Sequence, residues 1–338
     1  MATHKYFMLQ DLKTSKLTYL GYSGYHYAIS PDQERFAYIA GDYVIVASAN
    51  GTWLQRFPSY EKWSGVIAWL NSGKLLIEES EWTPRNSGLL SSIIVLDLDS
   101  GKFETIYPIE FPSIVPNLYK NIGPEWLGKI VFLPNADLSY IVYATGYDEK
   151  SIALWDRVNQ NEVVRINVFS NLDWGSLPEW SKNGDFFITS GIPEWDSNHL
   201  DYGPKDLLIV QTDGVIKNLT NLATSFETAE RGYTLSPNDE KVAFWLATDF
   251  QSEYGPQTWQ MAIIDLESGS LVTYCAYAGR TDWPIKPIWS PDGDKLLLTS
   301  WDDFNEYPSG VSIFDIENLS IIEISEDTVG VGWLHSVP

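Results

Sequence analysis

Three stretches of the chain repeat one small constellation, a carboxylate followed by tyrosine and then Gly-Pro or Pro: Asp201-Tyr202-Gly-Pro204, Glu253-Tyr254-Gly-Pro256 and Glu306-Tyr307-Pro308. Each closes a longer segment that also carries tryptophan or phenylalanine beside further acid, with Trp195 and Asp196 in the first, Asp249 and Phe250 in the second, and Trp301, Asp302 and Asp303 in the third. A fourth segment, Glu81-Trp-Thr-Pro-Arg-Asn86, offers Trp82 in a similar setting. Rigid aromatic rings next to carboxylates are suited to gripping a partner with basic residues, the rings supplying contact area and the charge steering encounter. The competing reading is that the rings pin each segment to its own unit and the acids only solvate it. Calcium is the other chemistry that clustered carboxylates suggest, but no Asp-x-Asp-x-Asp-Gly loop is present.

Covalent chemistry has little to draw on. No Gly-x-Ser-x-Gly occurs, and Gly21-Tyr-Ser-Gly-Tyr25 fails its spacing. The single Cys275 has no His in a partner position and reads as a small buried hydrophobe. One thiol and four histidines exclude an intrachain disulfide framework and a multi-cysteine zinc site, so no metal and no cofactor is expected. The balance of 22 Lys+Arg against 45 Asp+Glu, a net charge of −23, makes nucleic acid or an anionic membrane an unfavourable partner. No secretory signal and no transmembrane run is written in the sequence, which predicts a cytoplasmic protein, or a periplasmic one if a signal has been removed.

The elements that must position these segments come from self-similarity along the chain. A first set of equivalent positions is Ile29, Trp69, Phe132, Trp180, Leu235, Trp289 and Trp333; a second is Asp11, Ala47, Asp97, Asp156, Gln211, Asp265 and Asp315. Around the first set runs a turn of the Ser-Pro-Asp-Gly type, and at the second a turn such as Asp97-Leu-Asp-Ser-Gly101, where Gly supplies the positive φ. No convincing helical period intervenes. Tandem four-stranded antiparallel units of about this size predict one all-β domain over residues 1–338, a β-propeller. Six units are complete, and an N-terminal hairpin (residues 6–20) together with a C-terminal strand (residues 329–334) is expected to close a seventh; six blades is the alternative. Trp69, Trp180, Trp289 and Trp333 then pack between blades.

At Trp289-Ser-Pro-Asp-Gly293, Ile29-Ser-Pro-Asp32, Leu235-Ser-Pro-Asn238 and Trp180-Ser-Lys-Asn-Gly184 the sequence resembles the repeat of TolB-type and related WD-repeat-like bacterial propellers. The resemblance covers nearly the whole chain but carries structure only, since such propellers serve as translocation components, peptidase domains and scaffolds. In this fold the long segments share one face. The position three residues before each Trp equivalent falls near the channel mouth, and His26, Lys129 and Lys286 stand there, with Arg231 one step earlier in its repeat. These four could bind a small anion in an enzyme or sensor, or they are charges balanced by Glu179 and Asp282. The expectation is a non-catalytic scaffold that binds another protein of basic or mixed surface through the acidic, aromatic face, and the connection at residues 107–129, rich in proline, is expected to dock on that face.

Overall fold

A computed structural model describes residues 6–10, 17–22, 27–40, 42–58, 63–71, 73–82, 89–107, 132–144, 151–167, 177–191, 206–222, 229–247, 259–277, 285–301, 308–326, 330 and 332–334. All regular elements among them are strands. The hairpin β1 (Tyr6–Gln10) and β2 (Leu17–Tyr22) forms a sheet by itself. Six four-stranded antiparallel meanders follow. In the first blade these are β3 (Tyr27–Ile29), β4 (Arg35–Ala40), β5 (Tyr43–Ser48) and β6 (Trp53–Pro58), and in the second β7 (Trp63–Asn71), β8 (Lys74–Trp82), β9 (Leu89–Asp97) and β10 (Lys102–Tyr107). The third has β11 (Phe132–Pro134), β12 (Tyr140–Ala144), β13 (Ser151–Asp156) and β14 (Asn161–Asn167), and the fourth β15 (Glu179–Trp180), β16 (Phe186–Gly191), β17 (Asp206–Gln211) and β18 (Ile216–Asn218). The fifth has β19 (Ala229–Leu235), β20 (Lys241–Ala247), β21 (Gln260–Asp265) and β22 (Leu271–Tyr277), and the sixth β23 (Ile288–Trp289), β24 (Lys295–Trp301), β25 (Pro308–Asp315) and β26 (Ser320–Glu326).

Among the described residues the blade count is therefore six, the alternative, and not seven. The N-terminal hairpin pairs only with itself among the described residues, and Gly330, Gly332, Trp333 and Leu334 are not in a strand. The internal similarity at Trp333 records one repeated contact of a blade and not the further strands a blade needs.

Contacts divide the chain into two compact units, residues 1–128 with 334–338 and residues 129–333. In the first, Ala37, Val44 and Val46 of the first blade share a core with Val66, Trp69, Leu75, Ile77 and Leu96 of the second. In the second, alternation along each strand does the same work three times. On β20, Val242, Phe244 and Leu246 face the fourth blade's Ile188, Leu207 and Ile209, while Ala243, Trp245 and Ala247 face the sixth blade's Trp289, Leu296 and Leu298. A period of two with both faces apolar is what a strand between two packed sheets requires.

The turn between the first two strands has one geometry in five blades. The NH of the fourth turn residue donates to the carbonyl of the first, as in Gln33 to Ser30, Leu138 to Asn135, Gly184 to Ser181, Asp239 to Ser236 and Gly293 to Ser290. That fourth residue has positive φ in every case. The first side chain accepts from the returning strand, through Ser30 Oγ from Arg35 NH, Asn135 Oδ1 from Tyr140 NH, Ser236 Oγ from Lys241 NH and Ser290 Oγ from Lys295 NH. Asn135 thus does the work of the repeat's serine, and the residue equivalent to Trp289 in the third blade is Pro134, two positions after Phe132. Leu138, at φ 66°, occupies a region where a Cβ costs about 1 kcal/mol. Leu138→Gly is expected to raise stability by about 0.5–1 kcal/mol, read as an increased urea midpoint at unchanged slope.

The second repeated turn is equally regular. The carboxylates of Asp97, Asp156, Asp265 and Asp315 accept from the backbone NH three residues on, at Ser100, Asn159, Ser268 and Asn318. These hydrogen bonds hold all four below the ordinary carboxylate range. The first blade makes a shorter version beginning at Ser48, with Gly51 at positive φ, so Ser48 and not Ala47 is its turn residue. Asp11 lies outside the described residues.

Candidate functional site

The repeated Trp makes the same hydrogen bond four times, three times from one blade to the preceding one and once, at Trp333, from the C-terminal segment to the sixth blade. Trp69 Nε1 donates to Ala28 O, Trp180 Nε1 to Leu133 O, Trp289 Nε1 to Thr234 O and Trp333 Nε1 to Ile288 O, at 2.8–3.1 Å. Each acceptor is the residue just before the Trp equivalent of the preceding repeat, and this agreement fixes Pro134 as the third blade's position. Arg35 adds its guanidinium over the Trp69 ring, 5.0 Å from the centroid. These rings are structural, as their position in the repeat implies.

The segments with the carboxylate-Tyr-Pro constellation join the second and third strands of their blades. Asp196, Asp201, Tyr202, Asp249, Phe250, Glu253, Tyr254, Asp302, Asp303, Glu306 and Tyr307, with Trp195, lie outside the described residues, as do His26, Lys129, Asp282 and most of the proline-rich connection. Their stems are described. Gly191 pairs with Asp206 in the fourth blade, Leu246 with Gln260 in the fifth and Trp301 with Pro308 in the sixth, while in the second blade Trp82 pairs with Leu89. The fourth-blade stem is locked by a buried polar network that the sequence reading missed. Asp206 accepts from Thr220 Oγ1 and Asn218 Nδ2, and Thr220 Oγ1 in turn accepts from Leu207 NH. In the fifth blade the chain returns through Trp259, which is fully buried. Because adjacent blades of this unit share cores, these three stems end at corresponding ends of consecutive blades.

The position ahead of the first strand is partly described. Lys286 Nζ lies 3.4 Å from Glu179 Oε2, and Glu179 Oε1 accepts from Thr234 Oγ1 and from Leu235 NH. One carboxylate of the fourth blade thus ties down the fifth and sixth. Arg231 stands in β19 opposite Trp245. Between it and Thr234 the pairing slips, and Gly232 (φ 58°) approaches the sixth blade so closely that a Cβ would meet Lys286 Cα at 2.9 Å. Sequence spacing located Lys286 and its partner Glu179; the glycine's close approach carries no signal in a single sequence.

Near the opposite end of the same strands, the Asp239 carboxylate accepts from Lys182 NH across the blade boundary. Burial raises its pKa, and the neighbouring Glu179 and Asp185 charges raise it further. A carboxylate raised in the folded state opposes folding above its folded pKa and ceases to do so below its unfolded value. Asp239→Asn keeps the acceptor, tolerates the positive φ of 58° and removes the repulsion. The variant is expected to be more stable by a few tenths of a kcal/mol at pH 7, because solvent screens a carboxylate that is only half-buried, with the difference from the parent vanishing as pH falls below about 4; thermal melts across pH check this.

Cys275 is exposed, not buried, because β22 is an outer strand with one side open to water. Lys241, Asp265, Ser270, Val272, Tyr274 and Ile316 with Ile263 line a cavity of about 150 Å³ between the fifth and sixth blades. That is half or less of the volume of a typical cofactor or metabolite site.

No family model matches the chain and no curated protein matches it. Among solved structures it is similar to an oligogalacturonate lyase in complex with manganese, at 11% identity over 96% of this chain and 86% of that one with a TM-score of 0.53. It is also similar to the tricorn protease, at 11% identity over 95% of this chain and 34% of that one with a TM-score of 0.52. A third similarity is to Hsv2 of Kluyveromyces lactis, at 11% identity over 86% of this chain and 72% of that one with a TM-score of 0.51. A putative TolB from Agrobacterium tumefaciens matches at 15% identity over 86% of this chain and 95% of that one, with a TM-score of 0.49. Likeness at such identities concerns the fold alone: this chain is an all-β propeller of six four-stranded blades.

Proposed function

We propose that the protein is a non-catalytic interaction scaffold that binds a partner protein of basic or mixed surface through the segments at residues 83–88, 192–205, 248–258 and 302–307. The observation that carries this reading is the set of firmly built stems in three consecutive blades, each bearing the same carboxylate-Tyr-Pro sequence. A rigid frame that presents matching variable segments is the usual basis of recognition by loops. The net charge of −23 supports a basic partner. The small-anion alternative at His26, Lys129, Arg231 and Lys286 draws less support, because Lys286 is neutralised by Glu179.

The experiment is capture of the partner from the native host, followed by affinity measured against ionic strength. Raising salt from about 0.05 to 0.5 M shortens the Debye length from roughly 14 to 4 Å, so a charge-steered complex weakens and associates more slowly. Affinity indifferent both to salt and to Asp302→Lys with Asp303→Lys contradicts the proposal.

A further inference from the structure

The cavity between the fifth and sixth blades lies at a position that can be compared across the blade boundaries. In three blades the same position of the fourth strand, two residues before the turn residue in the pairing of the third strand, is held by Gln55 opposite Val46, Lys217 opposite Ile209 and Val272 opposite Ile263. Gln55 Nε2 donates to Leu98 O, the residue after Asp97 in the second blade's turn, at 3.1 Å. Lys217 Nζ donates to Leu266 O, the residue after Asp265, at 3.4 Å. Between the third and fourth blades the turn itself closes the boundary, since a Cβ on Gly214 would stand 3.2 Å from Val163 Cγ1. Val272 is too short to do what Gln55 and Lys217 do. Its counterpart acceptor is Ile316 O, the residue after Asp315, and no described side chain donates to it. The cavity lies beside this position, lined by Ile263, Val272 and Ile316 together with Tyr274, Lys241 and Asp265.

We propose that this groove is a receptor for a lysine side chain carried on an extended segment of a partner protein. The molecule itself supplies the template, because at the neighbouring boundary the exposed Lys217 reaches across and bonds the corresponding carbonyl. An incoming lysine lays its aliphatic stem along Val272 and Ile316 and its ammonium against Ile316 O, the snorkelling arrangement long cationic side chains favour. The groove's own cation, Lys241, is offset by Asp265, whose carboxylate is held ionised by the NH and hydroxyl of Ser268, and the chain's −23 charge draws a cationic segment in. Leu271 beside the groove is 43% exposed, giving apolar flanking residues a surface to cover. A volume of about 150 Å³ suits one side chain. This site stands apart from the loop segments and does not depend on their role.

Methyl-labelled full-length protein titrated with the capped tripeptide Ile-Lys-Ile, and in parallel with Ile-norleucine-Ile, tests the proposal. The expected result is saturable shifts at the Ile263, Val272 and Ile316 methyls with the lysine peptide, at least about tenfold weaker with norleucine, and absent in Val272→Lys and in Val272→Gln, which fill the groove from within. Val272→Gln copies Gln55 and remains informative if the lysine variant fails to fold. Absence of shifts in the parent protein, equal response to both peptides, persistence in the filled variants, or shifts that follow protein concentration without peptide and so report a second copy, would each overturn it.

Discussion

Trp289→Ala is expected to destabilise the protein by about 3–5 kcal/mol, the range for deleting a large aromatic from a packed core. The ring is 5% exposed within a cluster formed by the fifth and sixth blades, and its Nε1 holds Thr234 O at 3.1 Å. Trp289→Phe separates the two contributions. It keeps most of the apolar area and leaves the carbonyl without this donor, so a loss of about 1–2 kcal/mol is expected. Equilibrium urea unfolding of the two variants checks both. A Trp289→Phe variant as stable as the parent would mean that the hydrogen bond repeated at Trp69, Trp180, Trp289 and Trp333 contributes nothing of its own, whereas equal losses in the two variants would mean that the buried ring area does not.

Gly232→Ala is expected to cost about 3 kcal/mol, from two causes that act together. The residue has φ 58°, where an alanine is strained by about 1 kcal/mol. The added Cβ would also stand 2.9 Å from Lys286 Cα and 3.2 Å from Lys286 N, backbone atoms that cannot rotate away, and overpacking of this kind typically costs 1–3 kcal/mol. The displaced strand would carry Lys286 away from Glu179. Gly269→Ala is the control, having a similar φ of 70° and nothing within 4 Å of the added carbon, so it should show the backbone penalty alone. The comparison is read in thermal melts of the two variants.

The fold was legible because its local rules recur. Ser-Pro-Asp-Gly and Asp-x-x-Ser-Gly specify hydrogen bonds within a few residues, and the clamp tryptophans stand at fixed distance from them, so spacing alone located the strands of six blades. Two kinds of detail escaped. Aligning on residue type placed Phe132 where geometry places Pro134, since the turn is set by Asn135 accepting from Tyr140 NH and not by an aromatic before it. The seventh blade rested on Trp333 together with a hairpin, but a blade needs strand partners, and those of the hairpin are only each other. At the level of the site, Lys286 and Glu179 were legible as opposite charges at repeat positions. The Asp206 network and the approach of Gly232 were not, because both depend on contacts across the sheet that leave no local pattern. The open groove became visible only when equivalent side chains on different blades were compared by what they reach.

The proposed role is that of a scaffold whose acidic, aromatic segments grip a basic partner. Cross-linking of the complex captured from the native host, with the cross-linked residues mapped by mass spectrometry, tests it most directly. Partner cross-links are expected to concentrate in residues 83–88, 192–205, 248–258 and 302–307, and Asp302→Lys with Asp303→Lys to deplete them. Cross-links confined to the surroundings of Lys286 and Arg231, or scattered without preference for these segments, would contradict it.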